Sequence, residues 1–178
     1  MKVTSGIKKG TILKAPDDLS VRPTTDKVKQ AIYSMIQFLD PGNQALDLFS
    51  GSGAMGIEAV SRYQIKCVFV DIDTKSVSEN LKKCGFSDYA EVHKEDFCSF
   101  LKKTDKKFSL VFLDPPYHKG YIDTSLELLT KRSLLCENAI IIMESDADEQ
   151  YNIPKCIEVI KEKSYGRIKI KIGVFNQV

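Results

Sequence analysis

From residue 24 onward the apolar positions of this chain follow two alternating rhythms. Val28, Ala31, Ile32, Met35, Ile36 and Leu39 recur at i, i+3, i+4, i+7, i+8 and i+11, the stripe of one helix face. Thr25 or Asp26 can cap this helix, and Pro41-Gly42 stops it. Short apolar runs at 45–49, 66–71, 90–94, 108–114, 138–144, 156–162 and 167–175 then read as strands, separated by helical patterns at 53–63, 74–84, 96–103 and 121–132. Such alternation predicts a largely parallel sheet covered on both faces. Only Ser164-Tyr165-Gly166 separates the last two strands, so they should form an antiparallel hairpin. In the final strand Ile168, Ile170, Ile172 and Val174 alternate with Lys169, Lys171 and Gly173, which gives one buried and one basic face. Residues 1–15, with Gly6, Gly10 and the apolar Val3, Ile7, Ile12 and Leu13, read as a small hairpin ahead of the main fold. The whole is one domain over 1–178, with an N-terminal extension over 1–20 and the core over 24–178.

Composition narrows the class. With 178 residues, 43% hydrophobic and 28% charged, the chain belongs among soluble globular domains that bury a sizeable core. No run approaches a membrane span, and the N-terminus lacks the apolar core of a signal peptide, so a cytoplasmic location is expected. The five cysteines (67, 84, 98, 136 and 156) are widely spaced with no C-x-x-C, which fits free thiols in a reducing compartment. The two histidines, His93 and His118, belong to no ligand-like cluster, so no metal is expected. The net charge of +2 hides an asymmetry: residues 1–30 carry seven Lys/Arg against three Asp, and residues 155–178 carry six against two acids. The middle is therefore acidic. Basic ends around an acidic centre suit nucleic acid if the fold brings them together, although solvated faces also carry such charge.

Two motifs carry chemistry. The strand at 45–49 runs into Gly51, Gly53 and Gly56 before a helix, which is the G-x-G-x-x-G pattern in its strand–turn–helix setting. Glycine permits a sharp turn and close ligand approach, and the helix N-terminus favours an anionic group. Asp71 ends the next strand 20 residues after Gly51, where an acid can bind ribose hydroxyls. At this point a dehydrogenase fits as well. The second motif, Asp114-Pro115-Pro116-Tyr117, ends the apolar strand Leu110-Val111-Phe112-Leu113. Pro115 lacks an N–H, and both prolines restrict the backbone, which leaves carbonyls free to accept. Asp114 adds an acceptor and Tyr117 a flat face with a polar tip, a corner suited to a planar group bearing NH2. An ordinary strand-ending turn uses the same residue types.

The pairing of Asp47-x-x-x-Gly51-x-Gly53 with Asp114-Pro-Pro-Tyr117, 61 residues further on, resembles S-adenosylmethionine-dependent methyltransferases that act on exocyclic amino groups. The segment Arg22-Pro-Thr-Thr-Asp26, with the glycine loop and its helix through Tyr63, resembles more specifically the RsmD-type family, which methylates guanine N2 in bacterial small-subunit ribosomal RNA. The resemblance runs from Gly6 to about Gly166. It implies a Rossmann-like, doubly wound, mostly parallel seven-stranded sheet ending in an antiparallel hairpin, with a small N-terminal hairpin extension. By position it implies S-adenosyl-L-methionine as cofactor, held by Asp47, Phe49, Gly51, Gly53, Asp71 and Asp96. Asp71 would take the ribose and Asp96 the adenine amino group, although Asp96 can equally cap the helix that follows.

For the reaction the resemblance implies Asp114, Pro115 and Tyr117, with Arg22, Thr24 and Thr25 lining the mouth of the substrate pocket. The implied partner is ribosomal RNA within an assembling small subunit, met by a monomer with no membrane attachment. Two departures stand out: Thr11 follows Gly10 where the family usually has arginine, and the C-terminal strand is less basic. Lys8, Lys9 and Lys14 offer other cations in the first segment. The rivals are an adenine-N6 methyltransferase, a protein-glutamine methyltransferase (which would more typically carry Asn at position 114), and an idle RNA-binding protein of the same fold.

Overall fold

Thr25 sits in extended backbone (φ −68°, ψ 152°) and accepts the Val28 N–H at 3.3 Å, which starts α1 (Asp26–Met35). The computed structural model describes residues 1–16 and 25–176. The elements after α1 are β1 (Gln44–Asp47), α2 (Ala54–Tyr63), β2 (Lys66–Asp71), α3 (Lys75–Cys84), β3 (Ala90–Lys94), α4 (Phe97–Lys103), β4 (Phe108–Leu113), α5 (Tyr121–Lys131), β5 (Leu135–Asp146), β6 (Ile157–Tyr165) and β7 (Ile168–Phe175).

The strands form one seven-stranded sheet in the order β3-β2-β1-β4-β5-β7-β6. β1 to β5 pair in parallel, while β7 runs antiparallel to both β5 and β6. Apolar residues fill both faces. Ile32 and Tyr33 of α1 and its capping residue Ile36, with Ile57 and Val60 of α2, pack on Phe69, Phe112, Ile142 and Ile170. On the other face Phe100 of α4 and Leu126 and Leu129 of α5 pack on Val68, Val111 and Ile141. β6 suits the edge because Lys and Glu alternate along it and its outer positions are exposed. The buried row of β7, Ile168, Ile170 and Ile172, fits an inner strand.

Three expectations shift. α1 ends at Met35, and the Leu39 amide bonds Ile36 O at 2.9 Å, so a tight turn returns Leu39 to the core and leaves Phe38 89% exposed. β5 begins at Leu135, three residues early, because a register shift opposite Phe108 and Leu110 and a positive φ at Asn138 absorb a break that interrupts its apolar pattern. The N-terminal hairpin is held by one bridge, Lys2 to Ile12, and buries Val3 and Leu13 while Ile7 and Ile12 face outward. The five cysteines are free thiols, with Cys67 and Cys84 buried. Among the described residues no helix is long and apolar enough to cross a membrane.

Ions dock the hairpin. Glu58 of α2, fully buried, accepts the Thr4 amide at 2.8 Å and the Thr4 hydroxyl at 2.7 Å. It pairs with buried Lys29 of α1 at 3.0 Å and with Arg62 at 2.8 Å, while Lys29 also donates to Lys2 O at 2.6 Å. Gly6 lies so close to α2 that a Cβ there would meet Ser61 O at 1.9 Å, so the hairpin tip admits only glycine.

Candidate active site

The sheet reverses its winding between β1 and β4, and in an open α/β sheet the crevice beyond the carboxyl ends at such a point is where ligands bind. Both sequence motifs open there. β1 ends in Asp47 and leads into the glycine loop; β4 ends at Leu113 and leads into Asp114. The strands are in register, with Asp47 opposite Phe112 and the Leu48 amide bonding Phe112 O.

Two carboxylates, buried Asp47 and partly exposed Asp71, shape the glycine loop. Asp47 accepts the Gly56 N–H at 2.9 Å from the first turn of α2, and Asp71 accepts the Gly51 N–H at 2.8 Å. Burial pushes the Asp47 carboxyl up to about 8; the Gly56 N–H opposes the rise, and the charges of Asp114 and Asp71 add to it. The second Asp71 oxygen accepts the Asp73 amide at 3.1 Å, and a carboxylate so engaged still has lone pairs for hydroxyl donors. Gly53 holds φ +76°, and a Cβ there would lie 2.5 Å from Val77 Cγ2. Asn80 braces the loop by donating to Ser52 O at 2.9 Å, while its own side-chain oxygen accepts the Lys14 amide at 2.8 Å.

Asp96 caps α4 by accepting the Ser99 N–H at 3.1 Å, the structural role open to it from the sequence. Beside it Phe49, Phe97 and Tyr121 form a ring cluster, with Phe49 and Tyr121 parallel at 6.2 Å and Phe97 4.9 Å from each. Phe97 and Tyr121 were not read from the sequence as site residues; an aromatic immediately after Asp96 was the available signal. These three acids at three strand ends, the glycine turn, the aromatic cluster and the buried Ser50 hydroxyl in the loop, which has no partner among the described residues, form a donor and acceptor set that fits a nucleoside bearing an amino-acid tail.

Across the crevice Asp114 is partly exposed, Pro115 buried and Tyr117 half-buried. The Tyr117 hydroxyl donates to Glu144 at 3.2 Å, and the next amide, that of His118 (φ +58°), donates to Glu149 at 2.8 Å. Burial, with the charges of Glu144 and Asp114, holds the Tyr117 phenol far above its ordinary value, so it stays a neutral donor. Glu144, 4% exposed, escaped the sequence reading, although a lone acid ending the run Ala139-Ile-Ile-Ile-Met143 was its signal. Thr25 serves as the α1 cap, and Arg22 and Thr24 lie outside the described residues. His118, Asp146 and Asp148 bring possible ligand atoms within 4.8 Å of one another, but Arg167 already pairs with Asp146 at 2.9 Å.

Residues 1–174 match the family described as Conserved hypothetical protein 95. The chain is 38% identical to Bacillus subtilis YlbH, provisionally named an rRNA methyltransferase, over 97% of each protein. It is 32% identical to the ribosomal RNA small subunit methyltransferase D of Haemophilus influenzae, over 97% of this chain and 92% of that one. The solved Escherichia coli protein yhhF, provisionally named a methyltransferase, superposes with a TM-score of 0.89 at 27% identity and covers 99% of this chain and 98% of its own. With two paired motifs at the strand-order reversal, a shared topology and likeness along almost its whole length, the chain belongs to the RsmD-type methyltransferase family.

Proposed function

We infer that this protein transfers a methyl group from S-adenosyl-L-methionine to the exocyclic N2 of a guanine in small-subunit ribosomal RNA, acting as a monomer in the cytoplasm on an assembling particle. The observation that carries the reading is the opening of the glycine loop and the Asp114–Tyr117 corner from adjacent strand ends at one crevice. The cofactor, when bound, supplies an already activated methyl group. The chain's own work is placement. Asp71 and Asp96 would hold the ribose and adenine ends beside the aromatic cluster, and the loop around Gly51 and Gly53 would hold the amino-acid tail.

The guanine N2 lone pair is delocalised into its ring and attacks poorly. Asp114 and the Pro115 carbonyl would accept its two N–H bonds, draw the lone pair out of conjugation and stabilise positive charge as it develops. The base must leave its stack to reach them. Tyr117, its hydroxyl tied to Glu144, would present its ring to that base. Tyr117→Ala should therefore raise KM for unmodified particles roughly 5- to 150-fold, from a stacking loss of about 1–3 kcal/mol. Tyr117→Phe keeps the ring and should cost only a few-fold; equal losses in steady-state assays of the two variants would refute stacking.

Asp47 provides a pH signature. With its carboxyl pushed up to about 8, it is mostly protonated at pH 7 in the unliganded protein. A cationic ammonium brought to the loop favours the ionised form, so the proton leaves as the cofactor binds. Affinity should rise with pH until about 8 and then level off. Calorimetry in two buffers of different ionisation heat should show about one proton released per cofactor bound at pH 7. Zero release would remove Asp47 from the ammonium site.

The reading as a whole is tested by methyl transfer from labelled S-adenosyl-L-methionine to unmodified small ribosomal particles. Label recovered as N2-methylguanosine upholds it; label in N6-methyladenosine replaces it with the adenine chemistry that the same corner can perform.

A further inference from the structure

Among the described residues four that are not glycine have a positive φ: Gln64, His118, Ser133 and Asn138. Gln64 and Ser133 close α2 and α5, where a left-handed residue is a common way to end a helix. Asn138 is of a type whose short polar side chain tolerates this conformation. His118, at φ +58°, stands in the connection from β4 to α5, directly after Asp114-Pro115-Pro116-Tyr117. Its ring lies 3.6 Å from Asp148 and 4.0 Å from Asp146, too far for hydrogen bonds, so the ring does not fix the backbone. The grip is on the amide. The His118 N–H donates to Glu149 at 2.8 Å, and Glu149 is 8% exposed. Glu149 is anchored in turn: its own amide bonds Asp146 O at 3.2 Å, and the Ala147 amide bonds Arg167 O between β6 and β7 at 2.8 Å. The other Glu149 oxygen is buried with no partner among the described residues. A carboxylate buried with one oxygen unsatisfied costs stability, so stability alone does not account for Glu149 at this place.

Resting on the methyl-transfer reading above, we propose that Glu149 is a positioning residue for the target base. By accepting the His118 N–H it holds the left-handed backbone immediately after Tyr117, and that backbone aims the Tyr117 ring and the Pro115 carbonyl. Tyr117 is then fixed at both ends by β5 and the turn that follows it. Its hydroxyl donates to Glu144 within β5 at 3.2 Å, and its backbone is held through His118 from Glu149. β5 lies beside β4, from which the corner emerges, so a strand that supplies no reacting group sets the geometry of the corner. Without the bond, His118 relaxes toward ordinary right-handed or extended backbone, and the acceptors for the amino group turn with it. A misplacement of about an ångström there slows the reaction even though every reacting group is still present.

Glu149→Ala should slow single-turnover methyl transfer to unmodified small ribosomal particles by about 10- to 100-fold. Its cofactor affinity by calorimetry should hold, because Asp47, Asp71 and Asp96 lie at other strand ends. Glu149→Gln keeps an acceptor oxygen for the amide and should lose only a few-fold. Glycine adopts positive φ about as readily as negative, so Glu149→Ala/His118→Gly should recover part of the rate. A double variant no faster than Glu149→Ala overturns the backbone role, and so does a cofactor affinity that falls as far as the rate. A crystal structure of Glu149→Ala reads the geometry with no substrate present: His118 should leave the left-handed region, and a φ still near +58° overturns the proposal. That readout does not depend on the base. If the unaltered protein labels adenine, or no base at all, while His118 relaxes in the variant, Glu149 keeps its role in the corner and the guanine-N2 reading falls.

Discussion

Asp114→Ala is expected to slow methyl transfer to unmodified particles by about 10²–10³-fold, the usual loss when one preorganised partner of developing charge is removed. Cofactor affinity should hold, since Asp71 and Asp96 lie at other strand ends. The substitution has a second readout. Asp114 is one of the charges that raise the Asp47 carboxyl and the Tyr117 phenol. Without it, proton release on cofactor binding should move to lower pH. Asp114→Asn keeps an acceptor oxygen but loses the charge, so it should retain more activity than the alanine variant while showing the same shift. Single-turnover rates with labelled cofactor decide the matter, and an unchanged rate in Asp114→Ala would place the N2 acceptors elsewhere.

Glu58→Ala should be the most damaging stability change, costing about 3–5 kcal/mol, because it leaves the Lys29 ammonium buried without its carboxylate. Thr4 and Arg62 lose their partner at the same time, so the N-terminal hairpin should become protease-sensitive before the sheet unfolds. Urea unfolding measures the loss. A Lys29→Met/Glu58→Leu pair should recover much of it, since a hydrophobic pair avoids the desolvation of both ions. No recovery would mean that the charges themselves hold the hairpin. The pH dependence has a defined sign. Burial alone would raise the Glu58 carboxyl, but the Thr4 amide, Lys29, the Thr4 hydroxyl and Arg62 together bring it below its ordinary value. The folded protein thus binds this proton less tightly than the unfolded chain. The stabilisation is complete above an unfolded carboxyl value of about 4.3 and disappears as pH falls through the folded one.

Strand and helix positions were legible because both periods are local. Lys66–Asp71 is a strand in both descriptions, and the hairpin of β6 and β7 follows from the short connection read at Ser164-Tyr165-Gly166, which the structure places at Gly166-Arg167. Where the apolar rhythm breaks, at Gln37-Phe38 and at 135–138, boundaries moved, since a tight turn and a register shift depend on packing that no short window contains. The site was legible as motifs, because glycine at a strand-to-helix turn and prolines after an apolar strand constrain the backbone by themselves. Its supports were not. Asn80, Glu144 and the Phe97–Tyr121 rings are ordinary residues until the fold carries them next to the loops.

By itself, then, the sequence determined the alternating α/β class, the glycine turn, the Asp114 corner and the acids at the strand ends, all products of local sterics and period. The tertiary structure alone decided that β7 enters between β5 and β6, that Glu144 sets the Tyr117 ring, and that Lys29, Glu58 and Arg62 fasten the hairpin to α1 and α2. Those outcomes depend on which distant surfaces bury each other and which charges must be matched once water is removed, and neither is written in any short stretch of chain.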